Sequence, residues 1–264
     1  MGLFYVYGII PARAATSGVP VGIDDAAVAS VEEGDLAALV SELSGESYDP
    51  DTIATLSGEV DWVAPRATAH DLVLTWASDR GPVIPLPMFA STFGSLDAVR
   101  AMLRERKAEL RPVLEKVGRG REYALRVYRV DAELKAALPG LSEEIASLKA
   151  AADAATPGQA YLLQRKLDAR TKEDLRVISL RLAGEIRDAL AAAAIEATTS
   201  PIPRVTADAP GTMILNAAFL IAPDRLRAFQ ERLTAIVTRH QPSGLRFDFT
   251  GPWPAYHFAL ESSR

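Results

Sequence analysis

The chain contains no cysteine. Disulfides, thiolate nucleophiles and cysteine-ligated zinc or iron–sulfur centres are therefore excluded, and the absence fits a reducing compartment. Histidine is almost as scarce: His70, His240 and His257 are the only three in 264 residues. They lie far apart, with no H-E-x-x-H or other i, i+4 pair to hold a metal. Long apolar runs are missing too. Met213–Ala222 is half the length of the roughly 20 residues that a membrane span needs, and Asn216 interrupts it. The apolar opening Leu3–Ile10 lacks the basic flank of a signal peptide and stops at Pro11. Positive charge is not in excess, since 29 Lys and Arg stand against 34 Asp and Glu for a net −5. That sign argues against a surface recruited to nucleic-acid phosphates, and the RNP1 pattern of RNA-binding sheets is absent as well. No G-x-G-x-x-G, P-loop or G-x-S-x-G motif occurs. A cytoplasmic, soluble protein is expected.

The residues that are present, 48% hydrophobic and 24% charged, have the proportions of a folded globular protein. A length of 264 fits two domains better than one. Only six basic residues are Lys, so the cationic surface is mostly Arg, which suits fixed ion pairs and planar contacts. Leu3–Ile9, rich in aromatic and β-branched residues, predicts a first strand. Val28–Val31 and Leu36–Val40 flank Glu32-Glu33-Gly34-Asp35 as the arms of a hairpin would. Asp49-Pro50 marks a helix start, and a further helix runs from about Asp61 to Ser78 before Gly81-Pro82. Val83–Leu86, broken by prolines, reads as an edge strand. Ser95 caps one amphipathic helix through Leu96, Val99, Leu103, Leu110, Leu114 and Val117. The domain boundary is expected after it, giving 1–118 and 119–264.

In the second half Tyr123–Val130 alternates as a strand, followed by an Ala-rich helical insertion at about 131–157 that Pro139-Gly140 punctuates. Helical spacing then persists from Gln159 to about Ala197. Thr212–Ile221 is apolar almost throughout, which predicts a central strand buried on both faces. Asn216 within it requires a hydrogen-bond partner, expected in a nearby turn or helix end. Pro223-Asp224 opens a helix with Leu226, Phe229, Leu233 and Val237 inward, and Leu245, Phe247 and Phe249 alternate in a last strand. This order is the ferredoxin-like split β-α-β pattern with added helices. The expected fold class is α/β (α+β), with an N-terminal small α/β domain and a C-terminal modified ferredoxin-like domain carrying a long helix and a helical insertion.

Groups able to do chemistry are few. Glu143-Glu144 and Asp24-Asp25 are adjacent, so their side chains diverge and read as solvated surface. His240 sits at a helix C-terminus, where the helix dipole favours it, and His70 reads as a solvent-facing or core-satisfied histidine. No catalytic, cofactor-binding or metal-binding residue is expected, and no cofactor. The unusual segment is Thr250-Gly251-Pro252-Trp253-Pro254-Ala255-Tyr256-His257-Phe258, read as a loop after the last strand. Two prolines flank one Trp and fix the backbone around it. Trp253 either folds back to cover a sheet end or stands as a preorganised aromatic anchor for a partner, and the two roles are compatible.

Several stretches, in order, resemble the gas vesicle protein GvpF/GvpL family. Phe4-Tyr5-Val6-Tyr7-Gly8-Ile9 is similar to its opening strand, and Ala69-His70 with Val73-Leu74, then Val83-Ile84-Pro85-Leu86 and Phe93, to its helix and following strand. Pro157-Gly158-Gln159-Ala160-Tyr161-Leu162 resembles the start of its long helix, and Leu215-Asn216-Ala217-Ala218-Phe219-Leu220-Ile221 its central strand. Gly251-Pro252-Trp253-Pro254 with Tyr256 and Phe258 resembles its terminus. Ala255 stands where a third proline is usual, His257 where Ser is common, and Pro87-Met88-Phe89-Ala90-Ser91 departs from an Arg-Phe-Gly-Thr run. The resemblance implies a non-enzymatic accessory or minor structural protein of gas vesicle assembly. Its implied partners are the main shell protein and other gas vesicle accessory proteins, with no nucleic acid or membrane lipid, in the cytoplasm on gas vesicles. Trp253, Tyr256 and Phe258 are the candidate partner-binding residues. The alternative is a small-ligand-binding regulator or enzyme on a ferredoxin-like domain.

Overall fold

The structure is a computed structural model that describes residues 2–14, 16–45, 47–203 and 209–260. The chain forms two compact units, Met1–Glu122 with Pro252–Arg264, and Tyr123–Gly251. The division expected after residue 118 thus falls at Glu122, and the segment from Pro252 groups with the first unit instead of the second. The physical reason lies in burial, described below.

In the first unit β1 (Gly2–Pro11) pairs antiparallel along its whole length with β3 (Leu36–Ser44), and β2 (Ala29–Glu33) forms a hairpin with β3. Gly34 makes the hairpin turn at φ 64°, a left-handed conformation that costs glycine little. A bulge lies in β1 between Val6 and Gly8. Such an extra residue changes which side chains share a face. Tyr5, Tyr7 and Ile10 accordingly join one core cluster with Leu39, Val73 and Leu74, although positions 7 and 10 have opposite parity. Helix α1 (Pro50–Leu56) is capped by Asp49, whose carboxylate accepts from the N–H groups of Asp51 and Thr52, each at 3.0 Å. Helix α2 (Val60–Arg80) supplies Val73 and Leu74 to the core. Strand β4 (Ile84–Pro85) takes the edge predicted for it in the order β2-β3-β1-β4, and β5 (Thr92–Phe93) also pairs with β1.

The single amphipathic helix expected after Ser95 is two, α3 (Leu96–Glu105) and α4 (Lys107–Val117), because Arg106 leaves helical geometry at φ −92°, ψ 5°. Helix α3 packs on β2 and β3 while α4 packs on β1 and β4. Those pairs lie at opposite ends of the sheet, and the bend redirects the chain from one to the other.

The second unit runs β6 (Arg121–Arg129), α5 (Asp131–Leu141), α6 (Glu143–Asp153), α7 (Pro157–Ala191), β7 (Glu196–Thr199), β8 (Thr212–Ile221), α8 (Leu226–His240) and β9 (Leu245–Trp253). Its sheet order, β7-β8-β6-β9, places β8 in the interior as its composition predicts. Tyr123, Phe249, Phe229 and Phe219 stand in a row with successive ring centroids 5.3, 5.7 and 5.2 Å apart. Asn216 donates from Nδ2 to the Pro201 carbonyl at 3.2 Å, the connecting-segment partner it required.

Two boundaries differ from expectation. Helix α7 stops at Ala191 rather than about Ala197, and Glu196–Thr199 pair antiparallel with β8. The open edge of β8 offers this segment a full ladder, and that pairing overrides the helix propensity of an Ala-rich run. Pro139-Gly140 lie inside α5, and the break comes at Ser142. The Ser142 hydroxyl accepts the Ile145 N–H at 3.4 Å, capping α6, and donates to buried Asp174 at 2.7 Å. Finally, Gly251-Pro252-Trp253 continue β9 as strand instead of forming a loop, and a short helix α9 (Tyr256–Leu260) follows. The fixed φ of proline fits extended backbone, which is why the strand tolerates it.

A Cβ on Gly8 would lie 2.8 Å from the Ile84 carbonyl oxygen and 2.9 Å from Leu74 Cδ2. Gly8→Ala must therefore push β4 off β1, at a cost of about 1–3 kcal/mol. All three tryptophans, Trp62, Trp76 and Trp253, belong to the first unit. Tryptophan-detected urea unfolding should show the midpoint of this variant falling, while a surface Ala substitution such as Glu59→Ala leaves it in place.

Candidate functional site

The candidate residues of the C-terminal segment all lie in the first unit, and they do three different things. Phe258 is fully buried. Helix α9 packs against α4 and β4, so this ring, with Pro254, Ala255 and Ala259, fastens the segment to the unit. Tyr256 is half-buried against the core cluster of β1 and α2 and donates its hydroxyl to Asp71 Oδ1 at 3.2 Å. Burial, with the Asp71 charge second, raises its pKa, so the phenol stays protonated and remains a donor. Trp253 is 47% exposed. Of the three, Trp253 is the side chain set outward, between Pro252, also exposed, and Pro254, which is buried.

His257 holds the segment by a polar contact. Its backbone N–H donates to Glu122 Oε2 at 3.0 Å, and its Nδ1 lies 2.6 Å from Glu122 Oε1. The Glu122 side chain is only 3% exposed, so these two bonds replace the water it has given up. With the carboxylate ionised, Nδ1 is the donor.

A second constellation in this unit was not anticipated from the sequence. Arg66 donates from Nε to the Tyr48 hydroxyl (2.8 Å), from Nη1 to the Trp62 carbonyl (2.9 Å) and pairs through Nη2 with Asp24 (2.8 Å). Its guanidinium lies 4.4 Å from the Trp62 ring centroid, and Tyr48 donates to Asp24 in turn. Asp24 is exposed, as expected, yet also an ion-pair member, and it holds φ 51°, a conformation Asp tolerates better than most residues. Trp62 and Arg66, four apart on one helix, were the available signal. Their partners Asp24 and Tyr48 are too distant in sequence for local spacing to suggest.

His70 proves to be core, at 2% exposure. The Phe89 N–H donates to the Tyr5 hydroxyl at 3.3 Å, so Tyr5 gives its own proton to His70 Nδ1 at 2.7 Å. The ring thus carries its proton on Nε2, which makes no well-formed hydrogen bond. Burial lowers the pKa of His70, against the weaker opposite pull of Asp71 and the Leu86 backbone. His240 is also held below its usual value, by burial and then by Arg239, against the opposite pull of Glu185. Among the described residues no group of three or more His, Asp or Glu could hold a metal ion, and no helix is long and apolar enough to cross a membrane.

Comparison with known proteins gives a consistent result. The profile of the family described as gas vesicle synthesis protein GvpL/GvpF matches residues 3–260. The chain is 28% identical over 235 residues to gas vesicle protein L of Streptomyces sp. (strain CB03234), covering 87% of this chain and 82% of that one. It is 27% identical over 264 residues to gas vesicle protein L2 of Halobacterium salinarum, covering 97% and 90%. In fold it matches the crystal structure of GvpF from Anabaena sp. PCC7120, with TM-score 0.68 and 19% identity over 98% of this chain and 96% of that one. The crystal structure of GvpF from Microcystis aeruginosa matches with TM-score 0.66 and 23% identity over 98% of each.

Neutral His70 makes stability pH-dependent. Below its ordinary value of about 6.5 the unfolded chain binds a proton on this ring that the folded protein refuses. The contribution of this residue is fully present above that pH and is lost as pH falls through the lowered folded value, by at most about 1.4 kcal/mol per pH unit. Tryptophan-detected urea midpoints of wild type and His70→Gln should converge between pH 7.5 and 5; parallel curves would contradict a neutral His70.

Proposed function

Since the chain belongs to the gas vesicle synthesis protein GvpL/GvpF family, we propose that it is a non-enzymatic accessory or minor structural protein of vesicle assembly. In this reading it works in the cytoplasm and grips the hydrophobic main shell protein together with other gas vesicle accessory proteins. A shell subunit that has not yet joined the shell exposes apolar surface, and exposed apolar patches of that size aggregate. A holder needs a rigid apolar contact more than it needs reactive groups.

The observation that carries this reading is the C-terminal segment. Trp253 is 47% exposed, on a backbone stiffened by Pro252 and Pro254 and fastened by buried Phe258 and the Glu122–His257 bonds. A Trp with little freedom left to lose binds at low entropic cost, which is why such residues dominate interface energetics. Tyr256 and Phe258 act in this reading by holding the segment that carries Trp253 in place.

Tagged full-length protein co-expressed with the shell protein should retain it on an affinity resin. Trp253→Ala should lower the retained amount tenfold or more without moving the unfolding midpoint. Phe258→Ala should instead lower stability by about 3–5 kcal/mol. Failure of the wild-type chain to retain any shell or accessory protein would overturn the proposal, and full retention by Trp253→Ala would remove Trp253 from the contact.

A further inference from the structure

Helix α7 is 35 residues long, and the rest of its unit covers it on one side. The inner face sends Leu167, Ile178 and Leu182 into the core of the second unit, with α5 and α6 packed along it. The opposite face carries Leu162, Lys166, Ala169, Glu173, Val177 and Leu180, spaced by three and four residues, and all six are exposed. Leu162 and Leu180 are five full turns apart, so one stripe about 27 Å long joins them. Leu162 is 66% exposed, Leu180 62% and Val177 46%. One exposed apolar side chain needs no explanation, but three along a single helix face mark a contact surface.

The two charges within the stripe have opposite sign. Lys166 has no carboxylate partner among the described residues. Glu173 accepts from Arg176 of its own helix on Oε1, at 2.8 Å, which leaves Oε2 available. Such a face is complementary to itself when turned end for end.

We propose that this face pairs with the same face of a second copy of the chain, α7 against α7, antiparallel about a two-fold axis between Ala169 and Arg170. In that register Leu162 lies over Val177 of the second copy and Lys166 reaches its Glu173, and the symmetry makes each contact twice. Ala169 sits beside the axis, where a small side chain lets the helices approach closely. Leu180 covers the first turn of the second copy's α7, at Gln159. The charges choose this register over its neighbours. An axis at Glu173 would set that carboxylate against its own copy, and one level with Thr171 would set Lys166 against Arg176. A parallel pair would set every charge against itself. Like charges so placed are unfavourable, whereas Lys166 and Glu173 attract. The surface belongs to the second unit, and its pairing does not depend on the reading of Trp253.

Since the chain has no cysteine, an introduced thiol is the only one present. Helices that meet at small residues approach to about 8–9 Å. That brings the two Ala169 Cα atoms within the roughly 4–7 Å that a disulfide spans. Full-length Ala169→Cys should therefore cross-link to a covalent dimer with diamide, while Ala228→Cys, also exposed but on α8, stays monomeric over the same time. Sedimentation equilibrium of the wild type should show monomer and dimer in exchange. Lys166→Glu should weaken the dimer tenfold or more, and Lys166→Glu/Glu173→Lys should restore it, because the pair is formed between copies. Leu162→Glu removes an apolar contact instead and should also weaken the dimer tenfold or more, with far-UV circular dichroism showing that each variant keeps its helices. A chain that stays monomeric up to its solubility limit, a dimer indifferent to Lys166→Glu, a double variant that stays dissociated, or equal cross-linking at positions 169 and 228 would overturn the proposal.

Discussion

A carboxylate withdrawn from water must be given donors, or folding bears a desolvation cost of several kcal/mol. Glu122, with a side chain 3% exposed, receives two, and both come from one residue 135 positions later in the chain: the backbone N–H and the Nδ1 of His257. The rest of the C-terminal segment depends on that closure. With His257 held, Phe258 is buried, Tyr256 reaches Asp71, and Trp253 is left outward beside its prolines.

The first unit uses polar groups inside an apolar core to specify one arrangement. The Tyr7 hydroxyl donates to Ser41 at 3.0 Å while accepting the Ile23 N–H at 2.9 Å, and Ser41 passes its proton to the Ala27 carbonyl. Tyr5, one pleat away, connects the Phe89 backbone to His70. These chains tie a loop, a strand and a helix to β1, and a slip of one residue would break all of them at once. The second unit combines the same device with ring packing. Its aromatic row runs from Tyr123 to Phe219, buried Asp174 accepts from Ser142 and pairs with Arg170, each at 2.7 Å, and Arg129 donates to the Ser179 hydroxyl at 2.8 Å and the Leu175 carbonyl at 3.0 Å.

Elements whose determinants are local could be read from the chain. Strand β1, the Gly34 hairpin, the Asp49 and Ser95 caps and the apolar β8 each carry their signal within about ten residues, and Asn216 found the kind of partner it required. What could not be read came from contacts between distant segments. The bend at Arg106 reflects which strands lie under α3 and α4. The end of α7 reflects a sheet edge that a helix-favouring run cannot sense. No spacing rule joins Asp24, Tyr48 and Arg66, or Glu122 and His257. Within the candidate segment the residue types were apparent, but their division into a buried anchor, a tether and an outward ring is a matter of packing.

The first unit is discontinuous: Met1–Glu122 needs Pro252 and the residues after it. On the ribosome its opening sheet therefore emerges long before the helix that covers α4 and β4, and Glu122 waits for its donors while the whole intervening unit is made. Domains usually fold in order of synthesis, but this one is sealed only after the whole second unit has been made. A chain that ends before Tyr256 leaves the Phe258 seat empty and Glu122 without the two donors of His257.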